Sequence, residues 1–171
     1  MLIFYHKLFK IPIESGKINK EVIFVEIERK FLVKELPELN GVKHSKIKQG
    51  YFSIKPEGRV RKKDDEYYVT EKGEGDLVRE EKEYRIDEKS ANVLFEMSKT
   101  YIIEKTRYYI PFGEYTIELD VYEGRHEGLV VAEVEFPSEQ AALDFVPPQW
   151  FGQDITYDKS YKNMMLALNN G

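Results

Sequence analysis

A chain of 171 residues with 42% hydrophobic side chains can bury one sizeable core, and its length predicts a single domain. Charged residues reach 33%, against an average of about a quarter; the formal net charge of −5 speaks against a non-specific nucleic-acid binder but not against a local cationic pocket. No cysteine is present, which excludes disulfides, thiolate metal ligands and a Cys nucleophile and fits a cytoplasmic setting, and no run approaches the length of a membrane span.

Residues 1–21 carry Pro12, Gly16 and no clear period, so they are expected to form an N-terminal extension ahead of a folded unit spanning 22–171. Met1 to Phe9 is apolar with two basic residues, but it is short and no small-residue cleavage site follows, so it is expected to be neither signal peptide nor anchor. Strands are predicted over Val22–Val33, Ser45–Ile54, Arg59–Lys63, Glu66–Lys72, Leu77–Ile86, Tyr101–Pro111, Glu114–Glu123 and Leu129–Phe136, in which β-branched and aromatic residues are common. The short polar connections Lys63–Glu66, Gly73–Asp76, Phe112–Glu114 and Glu123–Gly128 predict antiparallel hairpins. Helices are predicted over Asp87–Lys99, capped by Asp87 or Ser90, over Ser138–Phe145, and over Thr156–Leu168.

Strand side chains alternate between faces with period two. Glu26, Glu28 and Lys30 therefore share one face, with Ile27 and Phe31 behind them. The same inversion recurs at Arg59/Arg61, Arg79/Glu81/Glu83/Arg85, Lys105/Arg107/Tyr109, Glu118/Asp120/Tyr122 and Glu133/Glu135. One or two such rows fit a flat solvated sheet. Repeated rows of mixed sign fit a sheet closed on itself, with charge inside and an apolar exterior covered by helices. Alternation alone does not tell which face is the inner one.

Carboxylates at i, i+2 offer oxygen ligands to Mg²⁺ or Mn²⁺, which bind phosphates at the same time. Lys and Arg suit the remaining phosphate oxygens. A metal-bridged polyanion is one use of such a face; an internal network of ion pairs is the other. The three histidines, His6, His44 and His126, are scattered without ligand spacing.

The run Glu26-Ile27-Glu28-Arg29-Lys30 resembles the ExExK signature of the CYTH domain, the triphosphate tunnel metalloenzymes, and the agreement continues in order. It takes in Arg59-Val60-Arg61, Lys72, Arg79 to Glu83, Lys105-Thr106-Arg107, Glu118-Leu119-Asp120, Glu133-Val134-Glu135 and a closing element at Thr156 to Tyr161. ExExK alone is a weak signal; the ordered set, spanning residue 22 to the C-terminus, is a strong one.

The resemblance implies a mainly β (α+β) fold: an eight-stranded, antiparallel, closed β-barrel or tunnel with a few flanking helices. It further implies Mg²⁺- or Mn²⁺-dependent hydrolysis of a terminal phosphoryl group from tripolyphosphate or a nucleoside triphosphate. By position, Glu26, Glu28, Asp120, Glu133 and Glu135 are similar to the family's metal-binding acids. Lys30, Arg59, Arg61, Lys72, Arg107 and Lys159 are similar to its phosphate-binding bases, with Lys105 a second candidate beside Arg107. Tyr51 resembles a tyrosine that accepts a proton, and Tyr51 and Lys105 are the catalytic candidates. The short single-domain form points to inorganic tripolyphosphate. Adenylate cyclase or thiamine triphosphatase activity on the same scaffold and a non-catalytic polyphosphate-binding module are the alternatives. No nucleic-acid or membrane partner is expected, and a homodimer is left open.

Overall fold

Alternating charge and β-branched residues become, in the computed structural model, a nine-stranded antiparallel sheet; the model describes residues 24–72 and 78–169, with the side chains of 24–26, 72 and 78–81 outside that description. The strands are β1 (Phe24–Val33), β2 (His44–Ser53), β3 (Glu57–Lys63), β4 (Glu66–Lys72), β5 (Val78–Ile86), β6 (Ile102–Phe112), β7 (Tyr115–Tyr122), β8 (Val130–Glu135) and β9 (Phe151–Asp154). Three helices join them: α1 (Glu88–Met97), α2 (Glu139–Asp144) and α3 (Asn163–Leu168). The extension 1–21, the start of the first predicted strand and the predicted turn Gly73–Asp76 lie outside the described residues.

Local chemistry sets the turns and caps. Lys63 faces Glu66 across Asp64-Asp65, and Asp64 takes the left-handed conformation at φ 53°, which a short polar side chain tolerates. Gly113, at φ 60°, turns β6 into β7. Asp87 rather than Ser90 caps α1, accepting from the Ser90 N–H at 2.9 Å, and Ser138 caps α2 through the Ala141 N–H at 3.1 Å.

The strand order is β5-β4-β3-β2-β6-β7-β8-β1-β9, with β5 also pairing to β1. Phe31 of β1 faces Ala132 of β8 on one edge and Asp154 of β9 on the other. The Phe136 N–H donates to the Ile27 carbonyl at 2.8 Å while Ile27 is paired with Val78, so β5 shares the edge that β9 occupies. β5 pairs with β4 over Glu81–Ile86 and with β1 only over Val78–Glu81.

The closed eight-stranded barrel expected from the sequence is corrected on both counts. A ninth strand takes the rest of the β1 edge, and the two ends of the sheet meet over a short stretch rather than along a full seam. The physical reason is that β5 divides its length between two partners. The ninth strand is four residues long, too short to show alternation.

The predicted helix Thr156–Leu168 is also corrected. Asp158 accepts from the Ser160 N–H at 3.0 Å and from its hydroxyl at 2.6 Å, winding Lys159–Tyr161 into a 3-10 turn. Lys162 is then extended, and α3 begins only at Asn163. None of the helices among the described residues is long and apolar enough to cross a membrane.

The apolar face of β1, β7 and β8 carries the main core. Phe31, Ile117, Leu119, Ala132, Val134 and Phe136 pack against Ala142, Phe145 and Phe151 from α2 and the segment after it. Arg29, on the same face as Phe31, ties this cover down. It donates to Asp154 Oδ2 at 2.6 Å from Nη2 and to the Ala142 and Phe145 carbonyls at 2.9 and 3.3 Å, so it caps the C-terminal end of α2. Asp154 in turn accepts from Thr156, whose hydroxyl receives the Lys30 N–H at 3.1 Å. Arg29→Ala is expected to cost about 2 kcal/mol and to lower the melting temperature by roughly 4–8 °C in a chain of this size. A melt within 1 °C of wild type would show that the clamp contributes nothing.

Candidate active site

Residues directly opposite in an antiparallel ladder point to the same side of the sheet. Lys30 faces Glu133, Glu133 faces Glu118, and Glu118 faces Tyr109. Arg107 faces Asp120 and Ser45, and Lys105 faces Tyr122 and Ile47. Beyond β2, Gln49 faces Arg61, Tyr51 faces Arg59, Arg59 faces Thr70 and Thr70 faces Glu83. Glu28 faces Glu135. The rows read separately in the sequence are thus one continuous charged face, opposite the face that carries the core. Backbone register sets Glu26 beside Arg79 and Lys72 beside Glu81. The side chains of Glu26 and Lys72 lie outside the described residues.

Arg107 is the hub. It donates to both oxygens of Asp120, Nε to Oδ1 at 2.6 Å and Nη2 to Oδ2 at 2.7 Å. Its Nη2 also reaches Glu133 Oε2 at 2.5 Å, and Nη1 bonds Glu118 Oε2. Lys30 Nζ meets the other oxygen of Glu133 at 2.7 Å, and Lys105 Nζ donates to Asp120 Oδ2. Asp120 is 0% exposed, Lys105 3% and Glu133 6%. Such charges persist out of water only because each is paired and hydrogen-bonded.

Protonation follows from this packing. Burial alone would raise the Glu133 carboxyl, but Lys30, Arg107 and Lys105 hold it well below the usual carboxylate range. Burial lowers the Lys105 ammonium below its ordinary value despite Asp120. Burial, with Asp120 and Glu133 nearby, pushes the Tyr122 hydroxyl well above 10.0, and it donates to Asn163 Oδ1 at 2.5 Å.

A second group lies on β3, β4 and β5. Arg61 Nη2 meets Glu83 Oε2 at 2.5 Å, Arg59 approaches the same oxygen at 3.8 Å, and Thr70 bridges the two as acceptor from Arg59 and donor to Glu83, each at 3.1 Å. Tyr51 is buried and receives a hydrogen bond from Gln49 at 2.9 Å. Beyond Lys105 the face turns apolar: Tyr51, Ile103, Tyr122 and Val131 are packed over by Ile155 and by Ala167 of α3.

The predicted residues therefore divide. Lys30, Lys105, Arg107, Asp120 and Glu133 form one contiguous network, and Arg59 and Arg61 meet around Glu83. Glu28 and Glu135 are directly opposed across β1 and β8. Among the described residues, no three carboxylates or histidines are grouped to hold a metal ion, because Asp120 and Glu133 face ammonium and guanidinium groups instead. Lys159 is exposed, at the start of the 3-10 turn.

Glu83, Glu118, Thr70 and Gln49 were not singled out as site residues from the sequence. Glu83 and Glu118 were in the charged rows; only the register shows that each is the partner of a predicted arginine.

Residues 25–155 match the model of the CYTH domain. The chain is 43% identical over 151 residues to an inorganic triphosphatase of Nitrosomonas europaea, covering 84% of this chain and 97% of that protein. A second inorganic triphosphatase, from Acetivibrio thermocellus, is 44% identical over 68 residues, covering 40% and 42% of the two chains. The crystal structure of an inorganic triphosphatase superposes with a TM-score of 0.66 at 36% identity, over 90% of this chain and 97% of that one. A putative adenylate cyclase from Bacillus halodurans, at 17% identity and a TM-score of 0.58 over 71% of this chain and 85% of that one, shares the fold. The ordered charged rows, their union on one face and these likenesses together place the chain in the CYTH-domain family.

Proposed function

We propose that this protein hydrolyses the terminal phosphoanhydride of inorganic tripolyphosphate on the charged face, and that residues 22–171 act as one catalytic unit in the cytoplasm. The observation that supports this most is the single register-linked face of paired cations and carboxylates, in a chain 43% identical to an inorganic triphosphatase over nearly all of that protein's length. The sheet ends joined through β5 and β1 would make that face the wall of a tunnel.

In this reading Arg59, Arg61, Lys30 and Arg107 release part of their hold on Glu83 and Glu133 and take phosphate oxygens, with Lys72 and Lys159 in supporting positions. Exchange of one oxyanion for another is easy for a guanidinium fork. Glu28 and Glu135, with Glu26, Asp120 and Glu133, offer the hard oxygen donors for Mg²⁺ or Mn²⁺. When bound, such an ion supplies charge neutralisation on the phosphoryl oxygens. Water attacks the terminal phosphorus, the bridging P–O bond breaks toward pyrophosphate, and the proton from water goes to a basic group on the face. Tyr51, and Lys105 in its neutral amine form, are the groups we assign to that proton.

The test is phosphate and pyrophosphate release from tripolyphosphate, ATP and thiamine triphosphate, with Mg²⁺, Mn²⁺ or chelator. Tripolyphosphate is expected to be cleaved fastest, and chelator to abolish cleavage. No release from any substrate overturns the hydrolase, and cyclic AMP formed from ATP installs a cyclase.

A further inference from the structure

Along β2 the side chains of Ser45, Ile47, Gln49 and Tyr51 lie on the charged face, and all are buried. Gln49 is 1% exposed and Tyr51 3%. Gln49 stands between Ile103 of β6 and Arg61 of β3, and Tyr51 has Arg59 of β3 opposite it. A buried amide is tolerated where it is hydrogen-bonded, and Gln49 Nε2 donates to the Tyr51 hydroxyl oxygen at 2.9 Å. An apolar side chain of the same length would fill this place without needing a partner.

The sense of that bond carries chemistry. A phenol oxygen that accepts from an N–H turns its own proton away from that donor, and an N–H aimed at the oxygen favours its anionic form over the neutral one. Arg59, the cross-strand partner of Tyr51, likewise carries N–H groups and no acceptor. Tyr122, in the same cluster, has the opposite arrangement: its hydroxyl donates to Asn163 Oδ1, which keeps the proton on the tyrosine. Tyr51 packs with Ile103, Tyr122, Val131 and Ile155. Packing therefore fixes the Tyr51 ring, and the Gln49 amide fixes the oxygen at its tip.

We propose that Gln49 is a positioning residue, whose amide N–H holds the Tyr51 oxygen, as the phenolate, ready to take a proton from the attacking water. This role rests on the reading of Tyr51 as a proton acceptor. One O–H bond of the water breaks and one forms on Tyr51, while the water oxygen bonds the terminal phosphorus and the bridging P–O bond breaks toward pyrophosphate. Gln49 acts on this step only through the tyrosine.

A double-mutant cycle on tripolyphosphate hydrolysis by the full chain, with kcat and KM measured separately, tests it. Tyr51→Phe is expected to lower kcat about 100-fold, the smaller end of what an acid–base group supplies. Gln49→Met, similar in length, is expected to lower kcat about tenfold, to leave KM within about twofold, and to have no further effect in Tyr51→Phe. Gln49→Glu separates the donor from packing and carries the test if Gln49→Met does not fold. It keeps the shape and sets its charge opposite Arg61, but a carboxylate only accepts, so it holds the hydroxyl proton on Tyr51. It is expected to lose at least as much kcat as Gln49→Met. Wild-type kcat in either folded Gln49 variant, or a loss that persists in Tyr51→Phe, overturns the role of Gln49 and leaves Tyr51 in place. Wild-type kcat in Tyr51→Phe removes the tyrosine and Gln49 with it, and no turnover by wild type overturns the hydrolase and this role together.

Discussion

Glu133→Gln is expected to lower tripolyphosphate turnover by about 100- to 1,000-fold, a loss in the range seen when one charge-stabilising group is removed from an active site. The substitution keeps shape and one acceptor oxygen, yet removes the charge that Lys30 meets at 2.7 Å and Arg107 at 2.5 Å. Both cations then lose the anion that orients them, and on the proposed function the face also loses a donor for a divalent ion. Circular dichroism should remain that of a folded β protein. Steady-state kinetics over a metal titration check the result: turnover within threefold of wild type, with the same metal dependence, would remove Glu133 from the site.

Arg107→Ala is the most destabilising single change we foresee. It strips three carboxylates, Glu118, Asp120 and Glu133, of a common partner in a buried setting. Leaving a buried charge without its partner costs about 3–5 kcal/mol, which corresponds to a drop in melting temperature on the order of 10 °C. The loss should depend on pH in one direction. In wild type the Glu133 carboxyl is held below its ordinary range, chiefly against burial by Lys30 and Arg107, so its stabilisation is present above the unfolded-state value. That stabilisation disappears as pH falls through the lower folded value, because the unfolded chain takes up protons first. The gap between variant and wild type should therefore be widest near neutral pH and narrow in acid. Thermal melts of both proteins from pH 7 to 3 measure it; a gap that widens on acidification would contradict the network's role.

The sequence carried the alternation of charge, and with it the strands β1 to β8 and the face on which the site stands. It carried less of what depends on two strands at once. Glu83 was visible as one acid among several on a strand polar on both faces; only the ladder through Thr70 shows that it meets Arg59 and Arg61. Asp120 and Glu133 are similar by position to the family's metal-binding acids; that the fold also sets each against a cation is recorded in no local pattern. The errors in secondary structure have the same origin. The strand Phe151–Asp154 exists because the edge of β1 was left open for it, and Thr156 to Tyr161 turns rather than winds because Asp158 satisfies its own neighbours.

The short junction between β5 and β1 has a mechanical corollary. Asp120 and Glu133 stand on β7 and β8, backed by the aromatic core, whereas Arg59 and Arg61 ride on β3, which with β4 and β5 is joined to the remainder through β2 on one side and a few pairs on the other. Asp120 and Glu133 thus sit on the half backed by the aromatic core, and these two arginines, with Glu83, on the half joined to it by fewer pairs. On the proposed function, a tripolyphosphate held by Arg59, Arg61 and Arg107 would span both halves and add a link where the backbone supplies only a few pairs.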